Sequence, residues 1–168
     1  MPHPAFEPPP RYCPRCAAPL RAREAGGARR PACPDCDFVH YDDPKLAVGA
    51  LIEDEAGRLL YTQRDHEPAM GAWAWPSGYV DRGEELRAAA AREVREETGV
   101  EAAIDGLLGA YSRAGDPLVF IAFAGRAVGG DLRPGPEARD VRFFPLDGLP
   151  PPAFPHDPEI LRQWRAGR

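Results

Sequence analysis

The sequence predicts an α/β fold: a mixed sheet between helices, preceded by a small N-terminal zinc ribbon. Three observations carry this. Apolar strand-like runs lie on both sides of one helical segment near residues 84–98, a second helical segment follows a proline-rich loop near the C-terminus, and four cysteines sit in two C-x-x-C pairs near the N-terminus.

Residues 1–10 form a proline-rich tail, read as extended or disordered chain. Residues 11–41 form the ribbon. Cys13 and Cys16 make one pair and Cys33 and Cys36 the other, with sixteen residues between them. Two knuckles at that spacing match a tetrahedral Cys₄ zinc site, with a redox dithiol as the weaker alternative. A segment this small has no core of its own, so the metal would supply its stability. Residues 1–44 carry six arginines and six acids, a balance that argues against nucleic acid as a partner.

Asp42, Asp43 and Pro44 mark a boundary, and residues 42–168 are read as the main domain. Leu46 to Ile52 reads as a buried strand and Arg58 to Gln63 as its partner across the turn at 53–57. A helix from near Glu84 to Thr98 ends at Gly99, whose lack of a side chain suits a C-terminal cap. Ile104 to Tyr111, Pro117 to Ala127 and Val141 to Phe144 read as further strands, and Asp157 to Trp164 as a terminal helix.

With 43% hydrophobic and 28% charged residues, the 168-residue chain can bury a substantial core. Its net charge of −5 disfavours a general polyanion-binding surface. No apolar run reaches membrane-span length, and Met1 to Pro10 lacks the regions of a secretory signal, so a cytoplasmic protein without membrane attachment is expected.

The chemistry concentrates on the central helix. At about 100° per residue, Leu86, Ala90, Glu93 and Glu97 fall within an arc of about 60°, with Glu96 at its edge. Carboxylates thus continue the stripe that faces the protein body. They also oppose the helix dipole, which disfavours anions at a C-terminus by about 0.3–1 kcal/mol each. A hard divalent cation, Mg²⁺ or Mn²⁺, would offset both effects through oxygen ligands. The competing reading is a solvated charge run on an amphipathic helix.

Gly78, five residues, Glu84, seven residues, and then Arg92-Glu93-Val94-Arg95-Glu96-Glu97-Thr98-Gly99-Val100 make a 23-residue pattern that resembles the signature of the Nudix hydrolases without a mismatch. The resemblance implies an α/β/α sandwich and cleavage of nucleoside diphosphates linked to another moiety. It assigns metal ligation to Glu93 and Glu97, with Glu96 completing the cluster and the Gly78 carbonyl adding an oxygen. Glu84 and Arg92 become a structural ion pair. In the family the general base is either a box glutamate or a carboxylate from a later loop; here that later candidate is Glu137, with Asp140 behind it.

Box and ribbon together are similar to the zinc-ribbon Nudix subfamily that includes bacterial ADP-ribose pyrophosphatases and plastid FAD pyrophosphatases. That likeness implies a small nucleotide substrate, ADP-ribose or FAD, cleaved to AMP and a second phosphate, and a homodimer. Residues 101–125 lack the downstream motif of NADH pyrophosphatases, which counts against NADH without excluding it. Pro117, seventeen positions after Val100, agrees weakly with an ADP-ribose preference. Arg64 is the candidate to receive phosphates and Trp73 to stack on a base, while Trp75 reads as packing beneath the loop. His66 and His156 read as ordinary loop residues. The alternatives are a house-cleaning hydrolase of nucleoside triphosphates and a non-enzymatic nucleotide sensor; sensors usually lose box glutamates, and this chain has lost none.

Overall fold

The computed structural model describes residues 8–167. It divides into two compact units, with the division between Lys45 and Leu46.

In the first unit, strands β1 (Arg21–Ala25) and β2 (Ala28–Ala32) pair antiparallel. Gly26 and Gly27, at φ 56° and 77°, form the two-residue connection. Positive φ at both positions is what a type I′ hairpin turn requires, and glycine adopts it without a Cβ penalty. Among the described residues, the buried apolar ones of this unit are Cys13, Ala32 and Cys33, far too few for a self-sufficient core.

The second unit contains β3 (Lys45–Glu53), β4 (Leu59–Arg64), β5 (Trp73–Ala74), β6 (Ser77–Tyr79), α1 (Leu86–Thr98), β7 (Val100–Ser112), β8 (Leu118–Gly130), β9 (Ala138–Phe144) and α2 (Asp157–Ala166). The strands run in the order β5-β4-β3-β8-β7, with β6 added to β3 and β9 to β4. This is the expected mixed sheet with two helices.

Alternation along the central strands separates two cores. Val48, Ala50, Ile52 and Leu60 pack with Ala89, Ala90 and Val94 of α1. Leu51, Leu59 and Tyr61 pack with Ile160 and Trp164 of α2. Successive strand side chains point to opposite faces, so the two helices cover opposite sides of the sheet. Each fully buried aliphatic side chain contributes roughly 1.5–3 kcal/mol, and Val48, Leu51, Ile52, Leu59, Leu60, Val94 and Ile160 are all fully buried.

The strand expectations differ mainly in length and number. β7 and β8 are thirteen residues each, longer than their apolar runs suggest, because register shifts near Glu101, Ile104 and Leu107 break the period-2 alternation. The short β5 and β6 and the ribbon hairpin carry too few residues to show a period. Among the described residues no helix is long and apolar enough to cross a membrane.

Candidate active site

The helix α1 is set at both ends by its own sequence. The Glu85 carboxylate accepts from the Ala88 backbone at 2.9 Å, and Gly99, at φ 72°, donates its N–H to the Arg95 carbonyl. Residues 133–135 then satisfy two further carbonyls of the last turn. Arg133 N–H donates to Thr98 O and Gly135 N–H to Glu97 O, both at 2.9 Å. Gly135 must be glycine, since a Cβ there would overlap the Glu96 carbonyl.

Glu93 projects from α1 onto β6. There β6 pairs with β3, Gly78 opposite Val48, and a Cβ on Gly78 would overlap the Glu93 carboxylate. The glycine of the pattern is therefore a space requirement of the glutamate fifteen positions later. Glu97, one turn on, is buried at 8% exposure and receives a hydrogen bond from the Ser77 backbone. Glu96 is exposed, in line with its place at the edge of the stripe.

Arg92 ties the cluster together. Its Nε and Nη2 donate to the two Glu84 oxygens, both at 2.8 Å, and Nη2 also donates to the Tyr79 carbonyl at 3.0 Å. Its Nη1 donates to Glu93 Oε1 at 2.7 Å and to Glu96 Oε2 at 3.1 Å. The bidentate geometry is the strong form of a charge-assisted bond. Hydrogen bonds from Arg92, and then from the Asp81 N–H, lower the Glu84 carboxyl to about 2.

The ligand candidates are held the other way. Burial, then the charge of Glu93, pushes the Glu97 carboxyl up to about 8, with the Ser77 hydrogen bond and Arg64 opposing. Burial also raises Glu93, against the pull of Arg92. Two carboxyls on one face thus resist carrying charge together unless a cation joins them.

Arg64 and Glu137 reach this cluster through the sheet. Arg64 ends β4 and is buried at 8% exposure, so it is not a surface arginine. Its Nε donates to Pro68 O at 2.8 Å, its Nη2 to His66 Nε2 at 2.7 Å, and its guanidinium lies 5.2 Å from the Phe154 ring centre. Burial lowers its basicity, while Glu97 and then Glu137 oppose that shift most strongly by their charge. β9 pairs with β4, and Asp65 N–H donates to Glu137 O at 3.0 Å. The Glu137 side chain is exposed, with Oε2 3.9 Å from His66 Nε2, and its charge acts on both Glu93 and Glu97. Asp140 is turned aside, accepting from Val141 N–H and Arg142 Nε, each at 2.8 Å.

His66, set aside in the sequence as a loop residue, thus stands between Arg64 and Glu137. No ligand-like spacing announced it; it lies two residues from Arg64, and strand pairing brings Glu137 to it. Trp73 is not brought to the carboxylates. It pairs with Gln63, which shares a face with Tyr61, and packs on the α2 side against Phe144 at 4.9 Å, with the Arg142 guanidinium 5.4 Å from its ring centre. Trp75 is core, at 5% exposure.

The four cysteines do converge. All four sulfur atoms lie within 4.8 Å of one another, with Cys13 to Cys36 at 3.7 Å and Cys16 to Cys33 at 3.4 Å. Zinc–sulfur bonds of about 2.3 Å in a tetrahedron place the sulfurs roughly 3.8 Å apart, whereas a disulfide needs about 2.05 Å. Arg15 N–H and Asp35 N–H each point at a cysteine sulfur, Cys13 and Cys33, at 3.4 Å. Donor set and spacing fit one zinc ion. Among the described residues, no other group of three or more ligand side chains is gathered this tightly. At the box, Arg92 Nη1 bridges Glu93 and Glu96.

Comparison with known proteins agrees with this geometry. Residues 43–164 match the NUDIX domain family model. The chain is 36% identical over 133 residues to an ADP-ribose pyrophosphatase of Methanocaldococcus jannaschii, covering 76% of this chain and 78% of that protein. It is 33% identical over 153 residues to the NAD-capped RNA hydrolase NudC of Stutzerimonas stutzeri, covering 90% of this chain but only 53% of that relative. Among solved structures, a NUDIX hydrolase from Nitrosomonas europaea superposes with a TM-score of 0.84 at 31% identity, covering 92% of this chain and 91% of the other. An ADP-ribose pyrophosphatase from Streptococcus suis superposes with a TM-score of 0.63 at 25% identity, covering 74% and 92%. With its glutamates carried on α1 against β6 and its sheet shared with these structures, the chain belongs to the Nudix family and is a pyrophosphatase-type hydrolase.

Proposed function

We propose that this protein hydrolyses the pyrophosphate bond of an ADP-containing nucleoside diphosphate derivative, ADP-ribose or FAD, giving AMP and a second phosphate. The observation that carries the reading is the pairing of Glu93 and Glu97 on the face of α1 toward β6, each with its charged form disfavoured by burial. For the substrate, the support is the likeness to an ADP-ribose pyrophosphatase over some three quarters of both chains.

Glu93, Glu96 and Glu97, with the Gly78 carbonyl, are the residues that would hold Mg²⁺ or Mn²⁺. Bound there, the ion neutralises pyrophosphate charge and lowers the pKa of a water nucleophile. Glu137, exposed and held beside β4, accepts the proton that water loses on attack. Arg64 counters the carboxylate charge from beneath, with its guanidinium fixed by Pro68 and His66. Glu84 fixes Arg92 and so the direction of Glu93.

The second reading is cleavage of NADH or of an NAD-capped RNA end. Its support is the NudC match, which spans 90% of the chain and so takes in most of the ribbon. A Mg²⁺ and Mn²⁺ assay over ADP-ribose, FAD, NADH, NAD-capped RNA and nucleoside triphosphates separates the readings. AMP from ADP-ribose or FAD at the highest kcat/KM is expected. Preference for NADH or capped RNA favours the second reading, and pyrophosphate released from a triphosphate as the main activity overturns both.

A further inference from the structure

Counted as a whole, the ribbon is balanced in charge; along its length it is not. Residues 11–32 hold six arginines and one acid, Glu24, whereas residues 33–43 hold four aspartates and no arginine. Folding pairs only part of the two stretches. Of the aspartates, Asp37 pairs with Arg15 at 2.9 Å and Asp42 with His40 at 2.9 Å. The side chains of Arg11, Arg21, Arg23 and Arg29 have no ion-pair partner among the described residues.

Three of these arginines, Arg11, Arg21 and Arg29, line a concavity. An open groove of about 450 Å³ runs along the hairpin, walled by Pro10, Arg11, Leu20, Arg21, Arg29 and Arg30. Arg30 is held in place: its guanidinium donates to Ala25 O and Gly26 O and lies 4.8 Å from the Tyr41 ring centre. Arg23 stands directly opposite Arg30 across the hairpin. Like charges on facing strand positions repel and are destabilising unless an anion is shared between them. Among the described residues, the two large apolar residues exposed on this unit are both aromatic and both adjoin arginines: Tyr12 follows Arg11, and Tyr41 lies under Arg30.

We propose that this groove is a binding surface for single-stranded RNA. Guanidinium groups pair with phosphates through parallel N–H donors. Exposed tyrosine rings give bases a stacking surface, the combination that sequence-tolerant single-strand binders use. An acidic peptide would leave the tyrosines without a role. A lipid surface would call for exposed aliphatic side chains, and the large exposed aliphatics, Met70, Leu107, Val128 and Leu132, all lie in the other unit. The surface goes beyond the pyrophosphatase reading and stands independently of it.

The test is fluorescence anisotropy of a labelled ten-nucleotide single-stranded RNA with the zinc-containing full chain. Saturable binding is expected, with log K falling against log salt at a slope of about −2 to −3, as for three to four neutralised phosphates on a single strand. The double variant Arg21→Ala/Arg29→Ala weakens binding tenfold or more, and Tyr12→Ala weakens RNA binding at least threefold while leaving inorganic polyphosphate binding unchanged. Zinc content identifies any variant that has misfolded; Arg21→Gln/Arg29→Gln then takes its place. Turnover of ADP-ribose stays at the wild-type level in these variants, so failure here is distinct from failure of the substrate reading. No saturable binding at 20 mM salt, equal affinity in the arginine variants, or equal competition by polyphosphate with Tyr12→Ala silent would each overturn the proposal. So would tighter binding of an acidic peptide or of phosphatidylserine vesicles than of the RNA.

Discussion

The Glu93 carboxylate lies against the backbone of Gly78 so closely that a Cβ at that position would overlap it. A glycine on β6 and a glutamate on α1 are thus one device: the strand gives up a side chain so that the helix can place a carboxylate against the strand. Gly78→Ala is expected to displace Glu93, lower kcat a hundredfold or more with Mg²⁺, and cost about 1–3 kcal/mol of stability through overpacking. Steady-state kinetics alongside urea unfolding checks both, and a variant with wild-type kcat would remove Glu93 from the metal site.

Glu97 links pH to stability. In the metal-free fold its carboxyl sits up to about 8, above its ordinary 4.5, so the folded state keeps a proton that the unfolded chain releases. Stability of the metal-free protein therefore falls as pH rises from about 4.5 through 8. Glu97→Gln removes that loss. The metal-free variant should melt about 4 °C or more above metal-free wild type at pH 9, with the two converging below pH 4.5. Added Mg²⁺ should stabilise only the wild type, and the variant should lose turnover. Undiminished activity in Glu97→Gln would end the metal assignment.

The Glu84 and Arg92 pair has the opposite pH signature. With the Glu84 carboxyl lowered to about 2, its contribution is fully present above 4.5 and is lost as pH falls toward 2. Melting curves of wild type and Glu84→Gln should stay separated above pH 5 and merge near pH 2. Arg92→Lys, which loses the bidentate fork, should lower kcat about tenfold or more while leaving KM nearly unchanged, because its effect passes through Glu93.

For the ribbon, elemental analysis should find one zinc per chain, and chelation at elevated temperature should release it together with four titratable thiols. Cys33→Ser, at a buried ligand position, should reduce zinc content and unfold the hairpin. Protein purified without zinc, with freely reactive cysteines, would contradict the assignment.

Glu137→Gln tests the proton acceptor. Its exposed side chain makes a stability effect small, within about 0.5 kcal/mol. A kcat reduced a hundredfold with a flattened acidic limb of the pH profile is expected. A wild-type profile would move the role to a box glutamate.

Much of this site could be read from the chain because it is local. The stripe of Leu86, Ala90, Glu93 and Glu97 follows from helix geometry, Gly99 caps α1 with the φ that only glycine adopts freely, and two C-x-x-C knuckles announce a tetrahedral site. Spacing along one helix or one knuckle fixes distances before any tertiary contact forms.

The rest depended on pairings between distant segments. Trp73 could be placed only once β5 joined β4, because a single step of strand register decides which face a side chain takes. Arg64, His66 and Glu137 meet because β9 returns to β4, some seventy residues later in the chain. The arginine groove of the ribbon was hidden in an even charge count, since composition sums charges that lie in different stretches of the segment. The sequence alone determined which groups can hold a cation and on which helix they stand. Only the tertiary structure decided which distant groups surround them, because strand register and burial are set by packing across the sheet and leave no period in the chain.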